Sequence, residues 1–583
     1  MIKILISVIG IFLVLILLAS SSWRIRDFVF AKAMGLPIAE NDIRIDRALD
    51  MKTPDGVLLI ADLYRPTLDG AFPTIVMRTP YGRGESTTVA FAEFFARRGY
   101  NVISQDTRGA GDSGGEFVPL TNEKKDGAAT IEWIKEQTWF NGQIATFGMS
   151  YLGYTSNAIA VLNDPSVKAV FTAVAPRGFR NIFYSSGGFN VEAAAGWTVF
   201  VDSLKKSNYQ SATGSPVAQI LRALAGGEKV DVPFDHLPVT GIDVAATGAD
   251  IDFYQTFVNS ADPSADYWSE SSLTTEEISA IEAPVFLATM WHDTVMPDVF
   301  TDYHDLVAAG KIPRLSVASG PHFDAPSIIR FMRDGKAWFD HTLKDEAPSI
   351  PAKSIHLNVL GTGKWIESDV WPIPATAELF YLRPNGVLGT VAPMSEGEAT
   401  SYVYDPNDPT PAVGGLLLGN TKPVTDNSDL EARDDTITFT AEPFESDTIV
   451  VGEITASIYF ETSVETSDLF VRVNRVSRFG KTKNITDGVK RVFFESAVGE
   501  VMRVDITLAP TVTQFKKGER LRVLIASGAH PYVARNLGIG STHEQAFMAE
   551  GRSATIKIHH SANMPSFIEV PLAEISSLNI SKR

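Results

Sequence analysis

Residues 144–160 read IATFGMSYLGYTSNAIA. An apolar run ends in Gly148-Met149-Ser150, and small, helix-forming residues take over from Gly153. A strand that turns sharply into a helix crowds the residue at its apex, so the neighbours must lack bulk and the apical side chain is pushed outward. Gly148 meets that need two places before Ser150. The nucleophile-elbow spacing G-x-S-x-G calls for its second glycine at 152, where this chain has Leu152, with Gly153 one place later. Two readings compete, a plain turn serine and an exposed nucleophile. The setting between an apolar strand and a helix favours the nucleophile, and the helix turns its positive end toward Ser150.

Working outward, the same alternation continues. The runs 43–53 and 57–66 flank Pro54-Asp55-Gly56 and read as a hairpin. FPTIVMRTPYG (72–82) is a strand entering a Pro-Tyr-Gly turn, and Phe91, Phe94 and Phe95 recur at helical spacing. NVISQD (101–106) is the next strand, followed by a helix from about Asn122 with Ala128, Ile131 and Ile134 on one face. After 144–160 comes the strand VKAVFTAVAP (167–176). Strands alternating with helices predict an α/β fold, a mostly parallel sheet covered on both sides. Periodicity lapses over 181–280, where helical patches such as VAQILRALAG and TTEEISAIEA predict an inserted helical cap. Alternation returns with strand APVFLATM, helix 297–309, strand PRLSVAS and helix 326–343. From about 351, short runs such as SIHLNVLG, ITASIYFET and RLRVLIASG, separated by turn residues, predict a β-sandwich to about 577.

A chain of 583 residues exceeds one ordinary core. Its net charge of −18 argues against nucleic-acid binding, which selects a basic face. It has no cysteine, which removes disulfides, thiolate nucleophiles and cysteine-ligated metals together. Residues 1–23 form a separate unit: Lys3, an apolar run over 4–19, then Ser20-Ser21-Ser22-Trp23. That is the pattern of a secretory signal or an uncleaved membrane anchor, and it predicts an exported or membrane-anchored protein whose N-terminal segment contacts membrane.

A serine hydroxyl needs a base, and the base an orienting carboxylate. Each is expected in a loop at the carboxyl end of a later strand, in the order Ser, Asp, His. After VFLATM comes Trp291-His292-Asp293, and after RLSVAS comes Gly320-Pro321-His322. The expected triad is therefore Ser150, Asp293 and His322, with Asp298 as the alternative carboxylate. His292 is expected to point elsewhere, and His304 falls mid-helix. The oxyanion of a tetrahedral intermediate needs two donors. One is the backbone N–H of Tyr151. The second belongs to an early strand-end loop, where Tyr81 offers its phenol; simple packing in a Pro-Gly turn is the other reading of Tyr81.

RTPYGR (78–83), QDTRGAGDSGGEF (105–117), DGAATIEWIKEQTWFNGQIATFGMSYLG (126–153) and SGPHFD (319–324) resemble the bacterial family of cocaine esterase, α-amino-acid ester hydrolase and glutaryl acylase, related to the X-Pro dipeptidyl peptidases. GTGKWIESDVWPIP (361–374), VYDPNDPTPAVGG (403–415) and GERLRVLIASGAHPYVARN (518–536) resemble its C-terminal jelly roll. The resemblance covers about residues 45–575. It implies an α/β-hydrolase core (43–180 and 281–350), a helical cap (181–280) and a jelly roll (351–577), a Ser-Asp-His triad, and a tyrosine hydroxyl in the oxyanion hole that falls on Tyr81. Family members often carry G-P-W-x-H; here the histidine of Gly320-Pro321-His322-Phe323-Asp324 comes two places early.

Gly109 to Gly114 matches G-x-G-x-x-G, but Asp112 would repel a phosphate and the next helix begins too late, so a structural loop is expected. His543-Glu544 lacks the second histidine of a zincin. His559-His560 ends a strand pattern and reads as surface. No metal or organic cofactor is expected. The expected substrate is a small-molecule or short-peptide acyl compound, cleaved at an ester or amide bond. An X-Pro dipeptidyl peptidase is the alternative; it would need buried carboxylates for a free amino terminus, and the cap offers Asp202, Glu228, Asp231, Asp235, Asp250 and Asp252. Cap aromatics Phe183, Tyr184, Phe189, Trp197, Phe253 and Tyr254 fit an apolar acyl pocket or core packing equally. A non-catalytic jelly-roll binding protein is the reading of another class, and a broken triad would be its mark.

Overall fold

The computed structural model describes residues 22–206, 231–347 and 352–582, apart from 420, 495–496 and 541–542. Residues 1–21, most of the expected signal or anchor segment, the cap run VAQILRALAG and Glu228 lie outside the described residues. Among the described residues no helix is long and apolar enough to cross a membrane.

The hairpin is strands β1 (Ile43–Lys52) and β2 (Leu58–Pro66). Strands β3 (Thr74–Thr79), β4 (Asn101–Asp106), β5 (Ile144–Met149), β6 (Val167–Ala173), β7 (Val285–Met290), β8 (Arg314–Ala318), β9 (Ile355–Val359) and β10 (Lys364–Ser368) extend it into one sheet, ordered β1-β2-β4-β3-β5-β6-β7-β8-β9-β10. From β4 to β9 every neighbouring pair is parallel. The physical cause is visible in burial: β3, β4 and β7 are buried at every position, so both faces need a helical cover.

Helix α1 (Trp23–Met34) precedes the sheet, tied to it by Asp27, which accepts from the buried Arg98 guanidinium at 3.0 Å. Helices α2 (Ser86–Ala96), α3 (Glu123–Lys135) and α4 (Tyr151–Ala160) supply the first crossovers. Between β6 and β7 the chain builds the cap from α5 (Arg180–Phe183), α6 (Val191–Lys206), α7 (Ile242–Thr247), α8 (Asp252–Asn259), α9 (Asp266–Ser271) and α10 (Thr275–Ser279). Most are too short for a helical period to register, which is why the sequence shows patches there. Helices α11 (Met296–Ala308) and α12 (Ala325–Lys344) follow β7 and β8.

One sequence expectation is corrected. SIHLNVLG was assigned to the sandwich, yet Ile355–Val359 is parallel to β8 and belongs to the first sheet, as does its antiparallel neighbour β10. The terminal strand Ile580–Lys582 pairs with β10 as well, beyond the expected boundary at 577. The alternation of Ile355, Leu357 and Val359 with His356 and Asn358 imitates a half-exposed strand. All five are buried, and the polar side chains find partners: His356 Nε2 meets the Lys353 carbonyl at 3.0 Å, and Asn358 Nδ2 donates to the Lys364 carbonyl at 3.5 Å.

Between Thr376–Arg383 and Phe567–Glu574 lies a second, β-rich unit whose strands pair antiparallel except at Val387 with Thr440. Ile458, Phe460, Leu469, Val471, Val523 and Ile556 lie in its core. His560, expected at the surface, is only 3% exposed and its Nε2 meets Thr400 Oγ1 at 2.9 Å, while His559 pairs with Glu461.

If β9 shares the core of β8, Leu357→Ala and Leu315→Ala, both fully buried, should each cost about 2–5 kcal/mol. Scanning calorimetry should find both shifting the same unfolding transition. A shift by Leu357→Ala confined to a different transition would place β9 thermodynamically with the β-rich unit.

Candidate active site

Ser150 stands between β5 and α4 with φ 57° and ψ −125°, a sparsely populated conformation costing about 1–3 kcal/mol. Its own N–H donates to the Ala173 carbonyl at 2.9 Å, pinning the turn to β6, and its carbonyl accepts from Gly153 and Tyr154. The two nearby glycines answer different needs. A Cβ on Gly148 would lie 1.9 Å from the Leu152 carbonyl oxygen, inside the first turn of α4. A Cβ on Gly153 would lie 2.6 Å from the Ala175 Cβ, where the helix passes the end of β6. The second small residue is needed where α4 meets that segment, so the displaced glycine serves the packing while Leu152 turns into the core.

The loops after β7 and β8 bring in Asp293 and His322. His322 Nε2 lies 2.9 Å from Ser150 Oγ, and His322 Nδ1 lies 2.8 Å from Asp293 Oδ2. Asp293 Oδ1 accepts the Val295 N–H at 2.8 Å. Both residues are buried, at 0% and 2% exposure. A carboxylate only accepts, so Nδ1 carries the ring proton and Nε2 presents its lone pair to the serine hydroxyl. The two loops are bonded to each other, Trp291 N–H to the Ala318 carbonyl and His292 N–H to the Gly320 carbonyl. Asp324 caps α12 by accepting from Ser327 N–H, so the histidine sits two residues ahead of the helix.

The remaining candidates fall elsewhere. Asp298 accepts from Arg177 N–H and Asn181 Nδ2 and anchors the start of the cap. The His292 ring is buried without a hydrogen-bond partner, and burial pushes its pKa down to about 4, which leaves it neutral. His304 is exposed on α11. Gly109 and Gly111 take positive φ because their missing Cβ atoms make room for Phe117 backbone and the Asp106 carboxylate; Arg83 pairs with Asp106 and Asp112, so this loop is filled by its own side chains.

Tyr81 follows β3. Its hydroxyl accepts from Trp197 Nε1 at 3.1 Å, and the residue lines the same pocket as Ser150. Burial pushes its pKa up to about 12, so the phenol stays protonated, a donor, through the neutral range. The Tyr151 N–H is the first of α4 and has no acceptor within the helix.

Beside these groups lies a pocket walled by Phe179, Ile182, Phe183 and Trp197 of the cap segment, Pro176 and Val295 of strand-end loops, and Leu418 of the β-rich unit. Phe183 and Trp197 were among the aromatics expected; Tyr184, Phe189, Phe253 and Tyr254 serve the core. Among the described cap acids, Asp231, Asp250 and Asp252 are exposed, Asp202 is half-buried off the pocket wall, and Asp235 pairs with His530 and Arg535. Glu192, which sequence reasoning missed, is buried beside the site. Its two carboxylate oxygens accept the Leu418 and Gly419 N–H groups at 2.9 and 2.7 Å, and burial raises its pKa. It thereby holds Leu418 in the pocket wall.

Gly148→Ala should cost more than the roughly 1–3 kcal/mol of ordinary overpacking, and Gly153→Ala should fall within that range. Chemical denaturation of the purified variants checks the ranking; a Gly148→Ala protein of undiminished stability would contradict the close approach.

Comparison with known proteins agrees with this architecture. Residues 55–324 match the model of the X-Pro dipeptidyl-peptidase (S15 family), and residues 350–569 match the X-Pro dipeptidyl-peptidase C-terminal non-catalytic domain. Cocaine esterase of Rhodococcus sp. (strain MB1 Bresler) is 28% identical over 571 residues, covering 89% of this chain and 96% of the relative. An α-amino acid ester hydrolase structure superposes with a TM-score of 0.76 at 20% identity, over 91% of this chain and 97% of the other. An aminopeptidase from a marine sediment archaeon, Thaumarchaeota archaeon, gives 0.77 at 20% identity, over 92% and 97%. The last two speak for the fold alone. With both models matched in order along most of its length, the chain is a serine hydrolase built as an S15-type α/β-hydrolase domain followed by the matching C-terminal domain, and it is similar over nearly its whole length to cocaine esterase.

Proposed function

We propose that Ser150, His322 and Asp293 hydrolyse an ester whose acyl group is apolar and uncharged. Ser150 Oγ attacks the carbonyl carbon while His322 Nε2 takes its proton, then returns it to the leaving alcohol. Asp293 fixes the tautomer and stabilises the imidazolium. The Tyr81 phenol and the Tyr151 N–H receive the oxyanion. Water then attacks the acyl-enzyme, with His322 again as base, and releases the acid.

The observation that carries this reading is the unbroken chain Asp293–His322–Ser150, at 2.8 and 2.9 Å, opening on an apolar pocket. The substrate class rests on the pocket wall. No carboxylate lines it among the described residues, and each oxygen of the buried Glu192 already accepts a backbone N–H, so the described wall presents no free acid to an ammonium group. That favours an ester over an X-Pro peptide. The name of the 28% identical relative, cocaine esterase, agrees in kind. We also place the reaction outside the cytoplasm, on the strength of Lys3 and the apolar run 4–19; fractionation of expressing cells that finds the protein only in the cytosol would refute that placement.

Ser150→Ala should lose roughly 10⁴–10⁶ in turnover with folding intact, and with it labelling by a fluorophosphonate probe. On a panel of aryl esters, acylated amines and Xaa-Pro anilides, kcat/KM should be highest for aryl esters; near-normal hydrolysis by Ser150→Ala, or preference for Xaa-Pro anilides, defeats the proposal. Tyr81→Phe should lower kcat by roughly 10²–10³, about 3–4 kcal/mol, with little change in KM. An unchanged kcat would remove the phenol from the oxyanion site.

A further inference from the structure

The two oxyanion donors come from different segments, the β3–α2 loop for Tyr81 and the first residue of α4 for Tyr151. Both must stand about 2.7–3.1 Å from one oxygen atom. Preorganisation therefore requires that these segments be locked together to within about 0.5 Å. A buried polar cluster under the site ties them. Arg78, three residues before Tyr81 and fully buried, forms an ion pair with Glu123, Nη1 to Oε2 at 2.8 Å, and donates Nη1 to the Glu123 carbonyl at 2.9 Å and Nε to Gln105 Oε1 at 2.8 Å. The Arg78 carbonyl accepts from Thr155 Oγ1 of α4 at 3.0 Å. Glu123, at the start of α3, uses its other oxygen to accept the Tyr151 phenol at 2.9 Å, while that phenol oxygen accepts the Leu120 N–H at 2.9 Å.

Tyr151 thus touches the site twice. Its backbone N–H faces the oxyanion position, and its ring runs down to Glu123. The ring also packs edge-on against Tyr81, centroids 6.2 Å apart, and parallel to Trp197, whose indole N–H holds the Tyr81 hydroxyl. Glu123, Tyr151 and Arg78 are 3%, 1% and 0% exposed, so no water competes for these bonds. Asp126, also fully buried, lies 3.9 Å from Arg78 Nη2 and is held by Arg108, which completes the charge balance.

We propose that the Arg78–Glu123–Tyr151 phenol chain is a positioning device for the oxyanion hole, setting both donors at once without touching substrate. The inference rests on the serine-hydrolase mechanism proposed above. It assigns Glu123 and the Tyr151 side chain a role in the transition state rather than in substrate binding, because a misplaced donor weakens only the interaction that forms as charge develops.

The test uses the full chain and six variants: Tyr151→Phe, Tyr81→Phe, the two combined, Glu123→Gln, Glu123→Ala and Ser150→Ala. Rates are measured well below each variant's unfolding temperature and expressed per active site counted by fluorophosphonate titration, or, for Ser150→Ala, per mole of folded protein. Tyr151→Phe, which keeps the ring, should lower kcat roughly 5- to 30-fold with KM within about twofold. Phenylboronic acid, which becomes a tetrahedral anion on the serine, should lose affinity by a similar factor. Glu123→Gln still accepts the phenol proton and should recover much of what Glu123→Ala loses. Tyr151→Phe and Tyr81→Phe together should cost less than the product of their separate effects, since both act on one oxyanion site.

Three results overturn the inference: kcat per titrated site and boronate affinity within twofold of the parent; a rise in KM alone; or activity loss that titration accounts for wholly as fewer folded sites. Ser150→Ala separates the levels. If it keeps near-normal hydrolysis, the proposed mechanism fails. If it is inactive while Tyr151→Phe is unimpaired, only the positioning role fails.

Discussion

A parallel strand delivers its carboxyl end, and the loop behind it, to the same edge of the sheet as its neighbours. In this chain β3, β5, β7 and β8 do so within one parallel run, with only β6 between them, and Tyr81, Ser150, Asp293 and His322 follow those ends. Residues separated by 172 positions are thereby brought to 2.9 Å. The edge is stitched by backbone bonds that leave the loops little freedom: Ser150 to β6, Trp291 to β8, His292 to Gly320. Sheet register sets the distances on which the serine's reactivity depends.

The pocket depends on a second constraint, the docking of three parts. The cap is fastened to α11 through Arg177, whose guanidinium meets Asp302 and Asp305 and whose N–H meets Asp298. Burial pushes Asp302 up to about 7 despite that arginine. The β-rich unit is fastened to the cap by Ala534 N–H to the Phe189 carbonyl, Arg491 N–H to the Ser186 carbonyl, and Glu192 to the strand-free segment at Leu418. An arrangement that sends a leucine from the C-terminal unit into an acyl pocket makes that unit part of the site. Burying a carboxylate such as Glu192 is costly unless both oxygens are bonded, and here two backbone donors meet that need.

Much of this was legible in residue order. The strand–Ser–helix stretch, the order Ser150, Asp293, His322, and the strand ends ahead of the last two follow from local pattern, because turn chemistry and periodicity are local properties. The same locality explains the errors. Ile355–Val359 alternates apolar with polar side chains and imitates a half-exposed strand; the pairing with β8 that places it in the parallel sheet is not written in the run itself. His560 looked like a surface residue until Thr400 was brought across from a paired strand. Nothing near Glu192 or Leu418 in sequence announces that they meet, being 226 positions apart.

By itself, then, the sequence determined which residues carry chemistry and in what kind of fold, since a strained turn needs glycine at Gly148 and a triad needs its three residue types at strand ends. Only the tertiary structure decided which aromatics face the serine, which carboxylate stays buried beside it, and how Arg78, Glu123 and Tyr151 are joined beneath it. Those outcomes depend on distances between segments remote along the chain, and such distances are set by packing that no local pattern encodes.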